Sequence, residues 1–336
     1  MGQRLEMRSI GGKSKIPSSN EKLRMKKSAT LILMWLACVA SQAQQPRAGN
    51  RSQEVPPTLK VDVKLVNLYV TVTDAHGGPV AGLKKENFTL QEDGRDQTIS
   101  VFDKESAVPL SIALAIDTSL STRHDLPLEQ ASAKRFARTI MRPVDALSVF
   151  AFSETVLQST SYTADLKRID DGIDHLRLGA ATALFDAVYL ASRSLDRRQG
   201  RKVLVLITDG GDTISKVDYK EALRAAEEAE GIVYSIIVVP IENSAGRETG
   251  GEHALIQLSE DTGGKYYYAT SMSQLDDAFR QISDELRTQY LLAYYPSQST
   301  SSSQFRRIQV SVSGPPDSSD YHVRHRAGYY TFKSDF

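Results

Sequence analysis

Residues 111–123 read SIALAIDTSLSTR. An apolar run closes in Asp117, Ser119 and Ser121 follow at alternate positions, and Thr118 and Thr122 add two further hydroxyls. An unbroken apolar run of this length reads as a strand covered on both faces, the habit of parallel sheets. A carboxylate and hydroxyls at its end are either helix-capping groups or oxygen ligands for a hard cation.

Moving outward, DALSVFAF (145–152), KVLVLITD (202–209), GIVYSIIVV (231–239) and KYYYA (265–269) read as further strands of the same kind. Between them the apolar spacing turns helical. In 125–141 it falls on Leu126, Ala133, Phe136, Ala137 and Ile140, and helices are also predicted over 164–177, 183–197, 218–230, 252–261 and 271–288. Strands alternating with helices predict an α/β fold, a doubly wound and mostly parallel sheet with both faces covered.

The flanks differ. Residues 58–73 alternate apolar and polar, the strand period, and Asp93-Gly94 sits between two short strand-like runs as a hairpin turn. After residue 289, YLLAYY, FRRIQVSV and HVRHRAGYYTF are strands separated by Ser- and Pro-rich loops. Neither flank holds enough strands alone. The expectation is a second, small β domain, with residues 289–336 packing on the module 58–106 and both flanking the α/β domain at 107–288.

The first 43 residues form a basic run (Lys22, Arg24, Lys26, Lys27), the apolar core ATLILMWLACVA, and a small-residue site at Ser41 and Ala43. This predicts a secretory signal peptide cleaved after Ala43. Met25 opens a more compact version of the same signal. Residues 44–57, polar and proline-rich, are predicted to be a disordered linker. The segment 1–43 carries eight Lys and Arg against two acids, a net +6, so the whole-chain charge of +0 leaves −6 on the remainder. A mildly acidic exported protein, in the periplasm, the outer envelope or the medium, is not built for nucleic acid. Membrane contact is expected only through the signal segment, should it stay uncleaved. The single cysteine, Cys38, lies in the apolar core, which leaves no thiol or disulfide chemistry downstream.

In open α/β sheets ligands bind beyond the carboxyl ends of strands. Asp117 and Asp209 both end strands. If those strands are neighbours, the two carboxylates converge. Thr182, in GAATALFDA (179–187), opens a helix from the same rim. Asp117, Ser119, Ser121, Thr182 and Asp209 would then form an all-oxygen set suited to Mg²⁺, Mn²⁺ or Ca²⁺ and unsuited to zinc. Taken singly, each piece is a cap or a turn; taken together, they favour a metal.

Asp-x-Ser-x-Ser after an apolar strand, the Thr of TALFDA and ITDG after a second strand resemble the von Willebrand factor A domain over roughly residues 108–288. The resemblance implies a metal-ion-dependent adhesion site. Ser119, Ser121 and Thr182 would hold Mg²⁺ through hydroxyls, and Asp117 and Asp209 would bind directly or through water. A protein partner's acidic side chain would complete the coordination. The flanks VNLYVTVTDAHGGPVAGLKKENFTLQEDG and YLLAYYPS…FRRIQVSV…HRAGYY resemble the VWFA-related proteins abundant in Acidobacteria.

The resulting expectation is an exported, non-catalytic adhesion module. Two alternatives are a metal-assisted hydrolase of phosphoesters and a structural envelope protein. The sequence has no P-loop and no G-x-S-x-G motif to support the former. Asp170, Asp171 and Asp174 read as a solvated helix face, and Asp212 as a supporting residue behind the site. His322 and His325 share one predicted strand but face opposite sides. His76, His124, His175 and His253 are scattered. Tyr266, Tyr267 and Tyr268 read as an edge strand, and 242–252 as a surface loop.

Overall fold

The computed structural model describes residues 65–104, 108–122, 126–239, 249–298, 303–314 and 321–332. All of them fall in one unit, Leu59–Phe336. The predicted signal peptide and linker, and His124, lie outside the described residues.

In chain order the elements are β1 (Val66–Thr73), β2 (Phe88–Glu92), β3 (Arg95–Asp96), β4 (Ile99–Lys104), β5 (Leu110–Asp117), α1 (Leu126–Ile140), β6 (Ala146–Phe152) and β7 (Val156–Thr163). Next come α2 (Leu166–Asp174), α3 (Leu184–Asp196), β8 (Arg201–Thr208), α4 (Tyr219–Ala229), β9 (Gly231–Val238), α5 (Thr249–Thr262), β10 (Tyr266–Ala269) and α6 (Met272–Thr288). The chain closes with β11 (Tyr290–Tyr294), β12 (Phe305–Val312), β13 (His322–Arg324) and β14 (Gly328–Tyr330).

The central sheet has the order β10-β9-β8-β5-β6-β7. Every pairing in it is parallel except β6 with β7. All eight residues of β5 are buried. Side chains alternate across a strand, and here the alternation sorts by size. Ile112, Leu114 and Ile116 enter one core with Phe136 of α1 and Phe279 of α6. Ala113 and Ala115 enter the other with Leu184, Val188 and Leu195 of α3. The small side of β5 thus lets α3 lie close against the sheet. Strand β7 was not anticipated from sequence. VLQSTSYT is an edge strand with only Thr160 fully buried, so it lacks the apolar run that marks its neighbours.

The terminal strands form two four-stranded sheets, β13-β1-β11-β4 and β14-β12-β2-β3. Each mixes strands from both ends of the chain: β1 pairs antiparallel with β11 and β13, and β12 with β2. Leu68, Val70, Phe88, Leu90, Leu292 and Tyr294 meet between them. The Asp93-Gly94 turn takes φ of 48° and 75°, the left-handed pair that a tight hairpin requires. A short 3-10 turn at Lys85–Asn87 leads into β2, in a module whose sequence pattern predicts strands and turns but no helix. The run 322–332 is two short strands in different sheets rather than one. Its bend is stitched to the end of α5 by Ala327 N donating to Asp261 O at 2.8 Å. His325 lies in that bend, off the strand, and its Nε2 accepts from Val310 N at 3.1 Å.

A buried polar hub joins the two β assemblies. Glu285 of α6 accepts from Tyr234 Oη at 2.7 Å, from Thr71 Oγ1 at 3.3 Å and from Arg324 Nη2 at 2.5 Å. Arg324 Nη1 also donates to Gly264 O at 2.7 Å. Gln289 Nε2 donates to Thr71 Oγ1 at 3.0 Å, and Arg201 Nη1 to Gln289 Oε1 at 3.2 Å. Burial of charge without such partners would be costly, and here β1, β8, β9, α6 and β13 each supply one.

Candidate metal centre

The register of β5 and β8 decides whether the two carboxylates meet. Ile116 stands opposite Ile207 in a parallel ladder. Asp117 is therefore level with Thr208, and Asp209 follows directly. The Thr208 hydroxyl donates to Asp117 Oδ2 at 2.7 Å, and Ser119 N donates to Asp117 Oδ1 at 2.8 Å. Asp117 is 0% exposed. Burial lifts its carboxyl to about 6. The two donors oppose that rise, and the neighbouring charge of Asp209 adds to it.

The loop after β5 folds back over the strand end. Thr122 Oγ1 donates to Ser119 O at 3.0 Å and to Asp117 O at 3.2 Å. This tight turn places Ser119 Oγ and Ser121 Oγ 2.8 Å apart. Thr118 is held from both sides: its N donates to Phe152 O and its O accepts from Gly179 N, each at 2.8 Å. Ser119 is buried, whereas Ser121 is exposed.

Thr182 arrives on a third segment. Ala183 N donates to Ser153 O at 2.7 Å, which fixes the segment to the end of β6. Thr182 O accepts from Thr213 N at 2.8 Å and Thr182 N donates to Thr213 Oγ1 at 2.9 Å, which ties it to the loop after β8. Thr182 is buried. Among the described residues no hydrogen bond links it directly to Asp117, Ser119, Ser121 or Asp209. Its place at the rim comes from these backbone ties.

Supporting residues complete the rim. Asp212 Oδ1 accepts from Phe185 N at 3.2 Å in the first turn of α3, and from Ser215 Oγ at 2.5 Å. Asp186 Oδ1 accepts from Lys216 N at 2.9 Å and Val217 N at 3.0 Å. The loop after β8 and the start of α3 are thus cross-braced. Two contributors were not singled out from sequence. Thr208 hid inside the ITDG stretch as an ordinary strand end. Glu154, whose Oε2 accepts from Ala180 N at 2.7 Å, carries no motif.

Neither Asp117 nor Asp209 has a Lys or Arg partner among the described residues. Two adjacent carboxylates, one fully buried, with hydroxyls beside them and no countercharge, fit a divalent ion that takes oxygen ligands. No trio of His, Cys, Asp or Glu side chains among the described residues is arranged to hold a metal; the donors on offer here are two carboxylates and neutral hydroxyls. Asp170, Asp171 and Asp174 are engaged in ion pairs with Arg138, Lys167 and Lys134 on the helical surface.

The sequence profile of the von Willebrand factor type A domain matches residues 112–211, which span β5 to the loop after β8. Over those residues the chain is similar to a von Willebrand factor type A domain. Among solved structures, this chain is similar to the conserved hypothetical protein BatB from Bacteroides thetaiotaomicron. That likeness has 20% identity and a TM-score of 0.43, and covers 53% of this chain and 100% of that one. It is also similar to the von Willebrand domain of the type V pili tip protein Mfa5 from Porphyromonas gingivalis, at 12% identity and TM-score 0.41 over 53% and 95% of the two chains. A von Willebrand factor type A protein from Catenulispora acidiphila matches over 80% of this chain and 75% of its own, at 11% identity and TM-score 0.47. No curated protein matches the chain.

Proposed function

We propose that this von Willebrand-like domain is a non-catalytic, exported protein-binding module that grips a partner carboxylate through a divalent cation at the Asp117 rim. The observation that carries the reading is the pairing of Asp117 with Asp209 at the ends of adjacent strands without a cationic side chain between them. Ser119, Ser121 and Thr182 would hold the ion through hydroxyls, and Asp117 and Asp209 directly or through water. Mg²⁺ is the expected ion, with Mn²⁺ or Ca²⁺ as substitutes. When bound, the ion supplies a positive charge with a coordination position open to an external anionic oxygen.

The chain's own contribution is positional. Thr208 and Ser119 N fix the Asp117 carboxylate, so its oxygens cannot turn to find other donors. The Thr122 hydroxyl locks the turn that presents both serines. Asp212 and Asp186 keep the Thr182 segment and the Asp209 loop in register. Rigid donors on strand ends lose little entropy when a ligand arrives. The basic and apolar run at residues 22–43 supports export.

The test is affinity capture from envelope extract in Mg²⁺, in EDTA, and in Mg²⁺ with Asp117→Ala. A partner retained only by the unmodified chain in Mg²⁺ is expected. Equal recovery in all three conditions overturns the reading.

A further inference from the structure

At the end of the central sheet where the strands begin, an open cleft of about 490 Å³ lies between α4, α5 and the terminal strands. Its lining includes Glu227, Asp261, Asp93, Phe305 and Arg307. Glu227 is only 8% exposed. Its carboxylate makes no hydrogen bond or ion pair with any described residue. Neither cation near it forms an ion pair with it: Arg224 of α4 donates to Glu228 at 2.9 Å, and Arg326 donates Nη2 to Asn67 O at 2.7 Å while its Nε and Nη1 have no hydrogen-bond partner among the described residues. Among the described residues the Asp261 carboxylate of α5 accepts only a neutral donor, the Gln257 amide, at 3.1 Å. Arg307 stands exposed at the rim.

We propose that this cleft binds an organic cation, a guanidinium or primary ammonium group, with Glu227 as the inner carboxylate and Asp261 as the second. A carboxylate held at the floor of a cleft without a partner is costly until a matching charge arrives. A guanidinium suits two carboxylates because its planar donors can serve both at once. A metal ion fits less well, since no trio of acidic or imidazole ligands is arranged for one among the described residues. The volume is within the roughly 300–1,000 Å³ usual for small-molecule sites. This site is independent of the Asp117 rim.

Burial, and then the charge of Asp261, lift the Glu227 carboxyl to about 7; Arg326 and Arg224 oppose this, and Glu228 adds to it. Ionisation of Glu227 therefore rises about tenfold between pH 6 and 8, and cation affinity rises with it.

The test is calorimetric titration of the purified chain in EDTA with two probes, agmatine and the peptide acetyl-Gly-Arg-Gly-amide. The expected result is binding of one or both, about tenfold tighter at pH 8 than at pH 6. Glu227→Gln should lose at least tenfold at pH 8 and Asp261→Asn a smaller factor, with circular dichroism unchanged. Tighter agmatine binding assigns the site to a free amine, and tighter peptide binding to a basic side chain of a partner. If neither probe binds, or if Glu227→Gln binds as well as the unmodified chain, the proposal is overturned. Glu227 would then be served by a single water in the adjoining cavity of about 20 Å³ that it shares with Arg326.

Discussion

The hydroxyl of Thr208 donates to Oδ2 of Asp117 at 2.7 Å, joining the last residue of β8 to the last residue of β5. This bond orients a carboxylate that is shut off from water. Thr208→Val keeps the shape and removes the donor. Leaving a buried carboxylate oxygen unsatisfied costs about 1–3 kcal/mol. Urea unfolding in EDTA should show that loss, and Mg²⁺ titration should show weaker binding. Unchanged values in both would mean the bond does not position Asp117.

Ion binding at the rim has a thermal readout. A ligand that binds only the folded chain adds about 2.7 kcal/mol at a hundredfold excess over its Kd. The melting temperature of the unmodified chain should therefore rise with Mg²⁺ and fall back with EDTA. Asp117→Ala should show no Mg²⁺-dependent shift. A variant that still responds would place the ion elsewhere.

Gly251, near the start of α5, lies against the backbone that follows Asp209. A Cβ built on it would sit 1.4 Å from Gly210 O. Gly210 itself holds φ +97° and donates its N to Thr208 Oγ1 at 3.1 Å. Gly251→Ala must push α5 or the Asp209 loop away. The expected outcome is a loss of about 1–3 kcal/mol together with weakened Mg²⁺ binding. Full retention of both would show that the helix start yields freely.

Buried Glu285 and half-buried Arg324 form an ion pair between α6 and β13. Arg324→Met removes the countercharge of Glu285, which keeps its bonds from Tyr234 and Thr71, and should cost on the order of 2–3 kcal/mol. Glu285→Gln combined with Arg324→Met should cost clearly less than the sum of the single changes. A double-mutant cycle by urea unfolding measures the coupling. Additive losses would mean the two side chains act separately.

Glu227 gives stability a pH slope. Its folded carboxyl is lifted to about 7 from an ordinary 4.5, mainly by burial and then by Asp261. Between those values the folded chain holds a proton that the unfolded chain has released. Stability therefore falls as pH rises from about 4.5 to about 7, by on the order of 2–3 kcal/mol. Glu227→Gln should flatten that window and be the more stable form at pH 8. A slope unchanged by the substitution would assign it to other groups.

The elements most legible in sequence are those whose local chemistry is self-sufficient. SIALAID and KVLVLITD announce buried strands because they are short apolar runs rich in β-branched residues, closed by turn-forming polar residues and flanked by helical spacing. Helices α4 and α6 announce themselves by apolar spacing, and their capping residues, Asp218 and Ser271, receive the first free backbone amides. Strand β7 was illegible because its pairing with β6 is decided at an exposed sheet edge, where side chains are free to be polar. The split of 322–332 was illegible too. The bend at 325–327 is held by Asp261 O, and the strand end before it by Gly264 O, and those partners lie some 60 residues upstream.

The sequence by itself determined the donor types at the rim, a carboxylate and hydroxyls spaced to face one way, because chain neighbours fix which side chains leave a strand end together. Only the tertiary structure decided that β5 and β8 are adjacent and in register, so that Asp117 and Asp209 share one small volume. It alone decided that Glu227, an ordinary helix-face acid in the sequence, is shut in by strands from the far end of the chain. Burial and proximity are set by which distant segments pack together, and no local pattern of residues encodes that distance.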